Sequence, residues 1–143
     1  MNDRVRALVA KIEAGTLPPA EWTHGAHLTY AAWAVLAFGR EAALGRIRSA
    51  ILRLNAAHGV ESSPTGGYHE SITRFYVARI AALLEDTGAE TALARAVADC
   101  VAALDNRAIP LAYWSRDRLF SPEARGWWVE PDLLPLSAAA AVE

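Results

Sequence analysis

The stretch from Leu28 to Phe38, which is apolar on nearly every side of a helix, most constrains the fold of this chain. A surface helix carries one apolar stripe, whereas a helix that is apolar all round is usually buried at the centre of a bundle. Thr23 before the stretch and Gly39 after it are typical of a helix N-cap and C-terminus. We therefore expect a central helix from about Thr23 to Phe38 in an all-α protein.

Four further helices are predicted from apolar spacing and capping residues. The first of them is expected to start from a cap at Asn2 or Asp3 and to end at Gly15. The others are expected from Glu41 to His58, from Tyr68 to Glu85 and from Thr87 to about Leu104. Thr87 and Glu90 have capping-box spacing. The fold class is thus a compact bundle of four to five helices. We expect residues 1–143 to form a single helical domain.

The chain changes character after Asn106, where prolines and tryptophans become frequent. We expect this aromatic C-terminal segment to be irregular and to pack across one end of the bundle. The pair Ser121-Pro122 indicates a short helix start, with serine as the cap and proline at the first position. The alanine-rich tail, about 137–143, is expected to fray.

The composition of the chain argues against several classes of protein. The net charge of −2 argues against a nucleic-acid partner, because such proteins usually carry a basic stripe. No apolar run approaches the ~20 residues of a membrane span, and the start lacks a signal core. Cys100 is the only cysteine, so an intrachain disulfide is impossible and a cytoplasmic location is predicted. The sequence is compatible with a homodimer.

Three histidines form the one pattern that points to chemistry. His24 and His27 are three residues apart, which puts them on one helix face with Cβ atoms ~5–6 Å apart. His69 falls on the apolar side of the fourth helix, so packing of the second helix against the fourth could bring all three together. Three neutral imidazoles with one open position are a recurrent catalytic site for a divalent transition metal such as Zn, Cu, Fe or Ni.

Both histidine motifs begin predicted helices, and this position has electrostatic consequences. The positive end of a helix dipole disfavours imidazolium and attracts anions. We therefore expect His24, His27 and His69 to be catalytic or metal-binding residues and the ligand to be a small, anionic molecule. The alternative is that buried histidines are simply hydrogen-bonded in the core, which is the usual role of a lone one.

Four residues are candidates for binding the substrate. Arg118 and Arg125 could clamp a carboxylate with two hydrogen bonds each, and Tyr68 and Tyr113 could donate further ones. For the serines nearby, helix capping is the simpler interpretation.

Several motifs together resemble a family of small bacterial all-helical proteins. They are Trp22-x-His24-x-x-His27-Leu28, Tyr68-His69-Glu70-Ser71-Ile72-Thr73, and Tyr113-x-Ser115 with Ser121-Pro122-x-Ala124-Arg125. The resemblance implies that the histidines and the C-terminal segment belong to one design, but it supplies no reaction. The chain also resembles the DinB/YfiT-like metalloenzymes, which are four-helix proteins with three histidines; their histidine pair is four apart and late, whereas this one is three apart and early.

Three functions follow as hypotheses. The first is a small enzyme in which the three histidines hold a metal, or in which one histidine acts as a general base without metal. The second is a metal or small-ligand binding protein without chemistry. The third is a helical interaction module in which the histidines form a structural cluster.

Overall fold

A computed structural model of the chain describes residues 3–85 and 92–136 and shows an all-α protein. Its longer helices are α1 (Asp3–Ala14), α2 (His24–Phe38), α3 (Arg40–Ala57), α4 (Glu70–Glu85) and α5 (Leu93–Leu104). Shorter helices α6 (Arg116–Leu119) and α7 (Pro122–Gly126) follow, with 3₁₀ turns at Pro19–Glu21 and Ile109–Ala112. The described residues contain no β-strand, and an isolated bridge joins Ser63 to Gly66.

The helix α2 lies at the centre of the bundle, as its apolar sequence predicted. It packs against α1, α3, α4 and α5. Its buried residues are mostly alanines, which let neighbouring helices approach closely. The predicted caps are confirmed: the Thr23 hydroxyl accepts a hydrogen bond from the Ala26 N–H, and Gly39 ends the helix with a φ of 87°.

The C-terminal segment, which was predicted to pack across one end of the bundle, packs against α4. Trp114 is fully buried in the core. The Ser71 hydroxyl at the start of α4 donates to the Trp127 carbonyl and accepts from the Val129 N–H. Ser121 caps α7 by accepting from the Ala124 N–H. Local capping and tryptophan burial therefore give this irregular segment a defined position across the beginning of α4.

Two predicted helix starts differ from the structure. The helix α4 begins at Glu70, because the preceding His69 occupies the capping position. The helix α5 begins at Leu93, after the extended residue Ala92. The capping-box pair Thr87 and Glu90 and the tail 137–143 lie outside the described residues. Within those residues, no helix is long and apolar enough to cross a membrane.

Candidate functional site

The beginning of α2 meets the end of α5, and the candidate site forms where they meet. Asp105 caps the C-terminus of α5 through its backbone N–H, which donates to the Val101 carbonyl. Gly25 lies next to this carboxylate, since a Cβ atom placed on it would be in van der Waals contact with Asp105 Oδ2 at 3.5 Å. The negative charge also lies near the N-terminus of α2, where the helix dipole favours it.

His24, the first residue of α2, is paired with this carboxylate. Its Nδ1 atom lies 2.9 Å from Asp105 Oδ1. Since an ionised carboxylate only accepts hydrogen bonds, Nδ1 must carry the proton, and in the neutral ring Nε2 is left with a free lone pair. The His24 side chain is 17% exposed and that of Asp105 is 49% exposed. The ring is thus oriented by an acid, sheltered on most sides, and still reachable from the surface.

Tyr76 of α4 supports the His24 ring from the core side. The two rings meet edge to face, with centroids 5.0 Å apart. The Tyr76 hydroxyl donates to the Asn106 carbonyl at 2.7 Å. Burial raises the pKa of Tyr76 to about 12, against the opposing charges of Arg107 and Arg79. Tyr76 is therefore a protonated donor at neutral pH that ties α4 to the segment carrying Asp105.

His27 lies one helical turn further along α2. Its Nδ1 atom is 2.7 Å from the Thr23 carbonyl, so Nδ1 carries the proton here as well. The Trp22 ring stacks on the imidazole with centroids 3.7 Å apart. Burial lowers the pKa of His27 to about 4, and the neighbouring charges of His24 and Arg107 lower it further, while the bond to Thr23 opposes them. His27 is consequently neutral at physiological pH, chiefly because it is buried.

Trp22 contributes an unusual feature to this site. Its indole Nε1 atom is buried and has no hydrogen-bond partner among the described residues. A buried donor without an acceptor costs about 1–3 kcal/mol relative to a satisfied one. Since the same ring covers His27, the site contains a donor for which the described protein groups supply no acceptor.

His69 has a different role. Its Nδ1 atom accepts a hydrogen bond from the Ile72 N–H, and its Nε2 atom lies 2.6 Å from the Leu119 carbonyl, to which it must donate. Burial lowers the pKa of His69, so the ring is neutral. Both nitrogens are therefore occupied in capping α4 and in joining it to α6. No lone pair is left for a metal or a substrate proton.

The predicted three-histidine metal site is consequently not assembled. His24 and His27 share one site, but His69 is committed to a separate contact. In the described parts of the chain, no group of three or more His, Cys, Asp or Glu side chains is placed to hold a metal ion. The reason is that α4 presents Tyr76, two turns beyond His69, to the histidine pair.

Tyr68, predicted to bind substrate, is half-buried and belongs to an ionic cluster around the buried Glu70 carboxylate. Its hydroxyl donates to Glu70 Oε1 at 2.7 Å, and Arg48 binds the same carboxylate with two hydrogen bonds of 3.0 and 2.6 Å. Burial alone would raise the pKa of Glu70, but the hydrogen bonds from Arg48 and Tyr68 outweigh it and lower the pKa. The cluster joins α3 to α4 and is structural.

The two arginines that were predicted to bind substrate, Arg118 and Arg125, form hydrogen bonds with backbone carbonyls. Arg118 Nε donates to the Glu130 carbonyl at 2.6 Å, and Arg125 Nη1 donates to the Gly67 carbonyl at 3.1 Å. Neither arginine contacts the histidine pair. Tyr113, the fourth residue predicted to bind substrate, accepts a hydrogen bond through its hydroxyl from Nη1 of Arg79. Arg79 lies one turn beyond Tyr76 on α4.

Sequence reasoning did not assign to the site the two residues that contact His24, namely Asp105 and Tyr76. For Tyr76 the sequence pattern indicates core packing. Asp105 carries no local signal apart from its position at the end of the predicted fifth helix. The importance of these residues arises from contacts between helices that are distant in sequence.

Comparison with known proteins gave no match: no family model fits the chain, and no curated protein or solved structure is significantly similar to it. The resemblances stated from the motifs therefore stay predictions.

Proposed function

We propose that this protein is a small acid/base enzyme in which His24, oriented by Asp105, moves a proton on a small organic substrate. The observation that carries the proposal is the 2.9 Å contact between His24 Nδ1 and Asp105 Oδ1. A carboxylate that accepts a hydrogen bond from one imidazole nitrogen keeps the proton on that nitrogen, so the other nitrogen can act as a base. The same carboxylate stabilises the imidazolium that forms. Imidazole is suited to this task because it titrates near neutral pH.

The proposed step is a reversible proton transfer. His24 Nε2 takes a proton from an acidic C–H or O–H bond of the substrate, and the bonding pair stays on the substrate. The resulting imidazolium is paired with the Asp105 carboxylate and later returns the proton to the substrate. His27 stays neutral beside it, so no second positive charge on that ring opposes protonation of His24.

Proton exchange in D2O tests this function across a range of substrates at once. The protein is incubated with a panel of small carbon acids, including ketones, 2-oxo acids and malonate, and loss of C–H signals is followed by ¹H NMR. A positioned general base contributes about 10²–10⁴-fold to such a step. We expect exchange above the buffer rate, reduced at least about tenfold in His24→Gln and in Asp105→Asn.

A matched control exists for each variant. Asp99→Asn removes a carboxylate from the exposed face of the helix that Asp105 ends, where Asp99 pairs with Arg95. His58→Gln removes an imidazole that binds the Leu17 carbonyl, away from the site. Both controls should exchange at the wild-type rate. Exchange that survives in His24→Gln, or no exchange with any member of the panel, would contradict the proposal.

A metal bound by the histidine pair is a second candidate. His24 and His27 each donate Nδ1–H to an oxygen, which is the usual pattern of metal-bound imidazoles. Elemental analysis for Zn, Cu, Fe and Ni, on untagged protein and on His27→Gln, tests it. Stoichiometric metal that the variant loses would favour a metal-dependent reaction; no metal in either protein, even after reconstitution, would remove this candidate.

A further inference from the structure

A second cluster of polar side chains lies where α1, α2 and α3 meet, outside the histidine site. It surrounds a surface cavity of about 450 Å³. The cavity is lined by Glu13, Tyr30, Gly45, Arg46, Ser49 and Arg53. Neither His24 nor Asp105 lines it, so the cavity is separate from the proposed acid/base site.

Glu13 holds the two arginines of this cavity side by side. Arg46 Nη1 donates to Glu13 Oε2 at 3.1 Å, and Arg53 Nη1 donates to the Glu13 carbonyl, also at 3.1 Å. The hydroxyl of the buried Tyr30 donates to the same Oε2 atom at 2.9 Å. The Arg46 guanidinium also lies over the Phe38 ring, 3.8 Å from its centroid. Contacts with α1 and α2 therefore fix where both guanidinium groups lie.

The cluster keeps a net positive charge and several unused donors. Glu13 neutralises one guanidinium charge, and no other carboxylate among the described residues lies within ion-pair distance of Arg46 or Arg53. The Nε and Nη2 atoms of both arginines and the Ser49 hydroxyl make no hydrogen bond with another described residue. Such a group of donors favours an anionic ligand that carries several acceptor atoms.

Gly45 leaves space beside these donors. It lies in the interior of α3, where glycine is unfavourable relative to alanine. A Cβ atom placed on Gly45 would meet no atom within 4 Å, and the residue does not have a positive φ. Neither packing nor backbone conformation therefore requires glycine at this position. The missing side chain instead lets a ligand approach the helix closely.

We infer that this cavity binds the phosphate group of a small phosphorylated molecule that also carries hydroxyl groups. The terminal oxygens of a phosphate monoester point in three directions, so they can accept from both guanidinium groups and from the Ser49 hydroxyl at once. A carboxylate offers two oxygens in one plane and matches this set of donors less well. The inference goes beyond the proposed function, because it assigns a second ligand to a different part of the bundle.

Glu13 adds a preference for a hydroxylated ligand over bare phosphate. Its Oε1 atom accepts no hydrogen bond from the described residues, so a ligand hydroxyl can donate to it. Its negative charge also opposes a phosphate that brings no such donor. The cavity volume of about 450 Å³ lies within the range of about 300–1,000 Å³ that is usual for small-molecule sites.

Calorimetric titration with glucose 6-phosphate, inorganic phosphate and glucose tests this inference. We expect glucose 6-phosphate to bind, inorganic phosphate to bind at least about threefold more weakly for want of the hydroxyl contact, and glucose not to bind measurably. Arg46→Met and Arg53→Met should each weaken the binding of glucose 6-phosphate at least about tenfold, and Ser49→Ala about three- to tenfold. Methionine at position 46 keeps an apolar stem over Phe38, so the packing there is preserved.

Gly45→Leu separates binding from folding. Leucine favours helix more than glycine does and the space at position 45 is open, so this variant should unfold at a higher urea concentration than the wild type. Because its side chain occupies the cavity, the same variant should lose most of its binding of glucose 6-phosphate. A role of this cluster in stability alone would not produce these opposite changes.

Two control variants should bind glucose 6-phosphate like the wild type. Arg95→Gln removes an exposed arginine of α5 that pairs with Asp99, and His24→Gln removes the proposed base without touching the cavity. The phosphate site and the proton-exchange activity can therefore fail independently. No binding by the wild type, or wild-type binding by Gly45→Leu or by both arginine variants, would overturn the inference. Tighter binding of gluconate than of glucose 6-phosphate would overturn the assignment to a phosphate group.

Discussion

His24 and Asp105 are 81 residues apart in the chain, yet His24 Nδ1 and Asp105 Oδ1 lie 2.9 Å apart. The contact joins the first residue of α2 to the residue that ends α5. His24 begins one helix and Asp105 follows the end of another. The hydrogen-bonded backbone of these two helices therefore positions both side chains. This geometry is the basis of the proposed function.

The tautomer of His24 is the most direct prediction of this contact. Long-range ¹H–¹⁵N NMR correlations should show the proton of the neutral ring on Nδ1. In Asp105→Ala the acceptor is lost, so we expect the ring to become a mixture of both tautomers. Asp99→Ala, one and a half turns earlier, should leave the spectrum of His24 unchanged. An Nε2–H tautomer in the wild type would contradict the proposed orientation of the base.

Stability measurements test the structural role of His69. His69→Ala removes a cap, worth about 1 kcal/mol, and leaves the Leu119 carbonyl without its donor, which costs about 1–3 kcal/mol. Urea denaturation should therefore show a loss of about 2–4 kcal/mol in the free energy of unfolding. His69→Asn supplies a side-chain oxygen as the capping acceptor in place of Nδ1 and should recover about 1 kcal/mol. A change below about 0.5 kcal/mol in His69→Ala would show that the two hydrogen bonds do not form.

The ion pair between Arg48 and Glu70 should respond asymmetrically to substitution. The Glu70 side chain is 10% exposed, whereas that of Arg48 is 39% exposed. Arg48→Met leaves a buried carboxylate without its cation and should cost about 3 kcal/mol. Glu70→Gln leaves an arginine that can turn towards water and should cost less, about 1–2 kcal/mol. Urea denaturation of both variants at pH 7 checks the order, and a larger loss in Glu70→Gln would contradict it.

The lowered pKa of His27 should make the free energy of unfolding depend on pH. Its pKa is about 4 in the folded protein and about 6.5 when the chain is unfolded, so the unfolded state binds the extra proton between these values. The free energy of unfolding should therefore fall as the pH decreases from about 6.5 to about 4. His27→Gln removes this titration and should flatten the decline in that window. The lowered pKa of His69 acts in the same direction, so part of the decline should remain.

The helices and both ends of α2 were predictable because they depend on neighbours in the chain, whereas the predicted starts of α4 and α5 were wrong. The apolar character of residues 28–38 required burial whatever surrounded them. Thr23 and Gly39 act on hydrogen bonds within one turn of themselves. The spacing of His24 and His27 likewise placed them together, since helix geometry alone relates residues three apart.

The site was decided by the packing of helices against one another. Nothing local distinguishes Asp105 from other acids, or Tyr76 from other core aromatics, until α5 and α4 lie against α2. His69 shares the residue type of the pair, but its two ring nitrogens found partners in Ile72 and Leu119. The sequence by itself determined which segments are helical, which helix is central and that His24 and His27 share a face. Only the tertiary structure decided which charges meet those histidines, because side-chain pairing between distant segments depends on helix orientation and register, which local patterns do not specify.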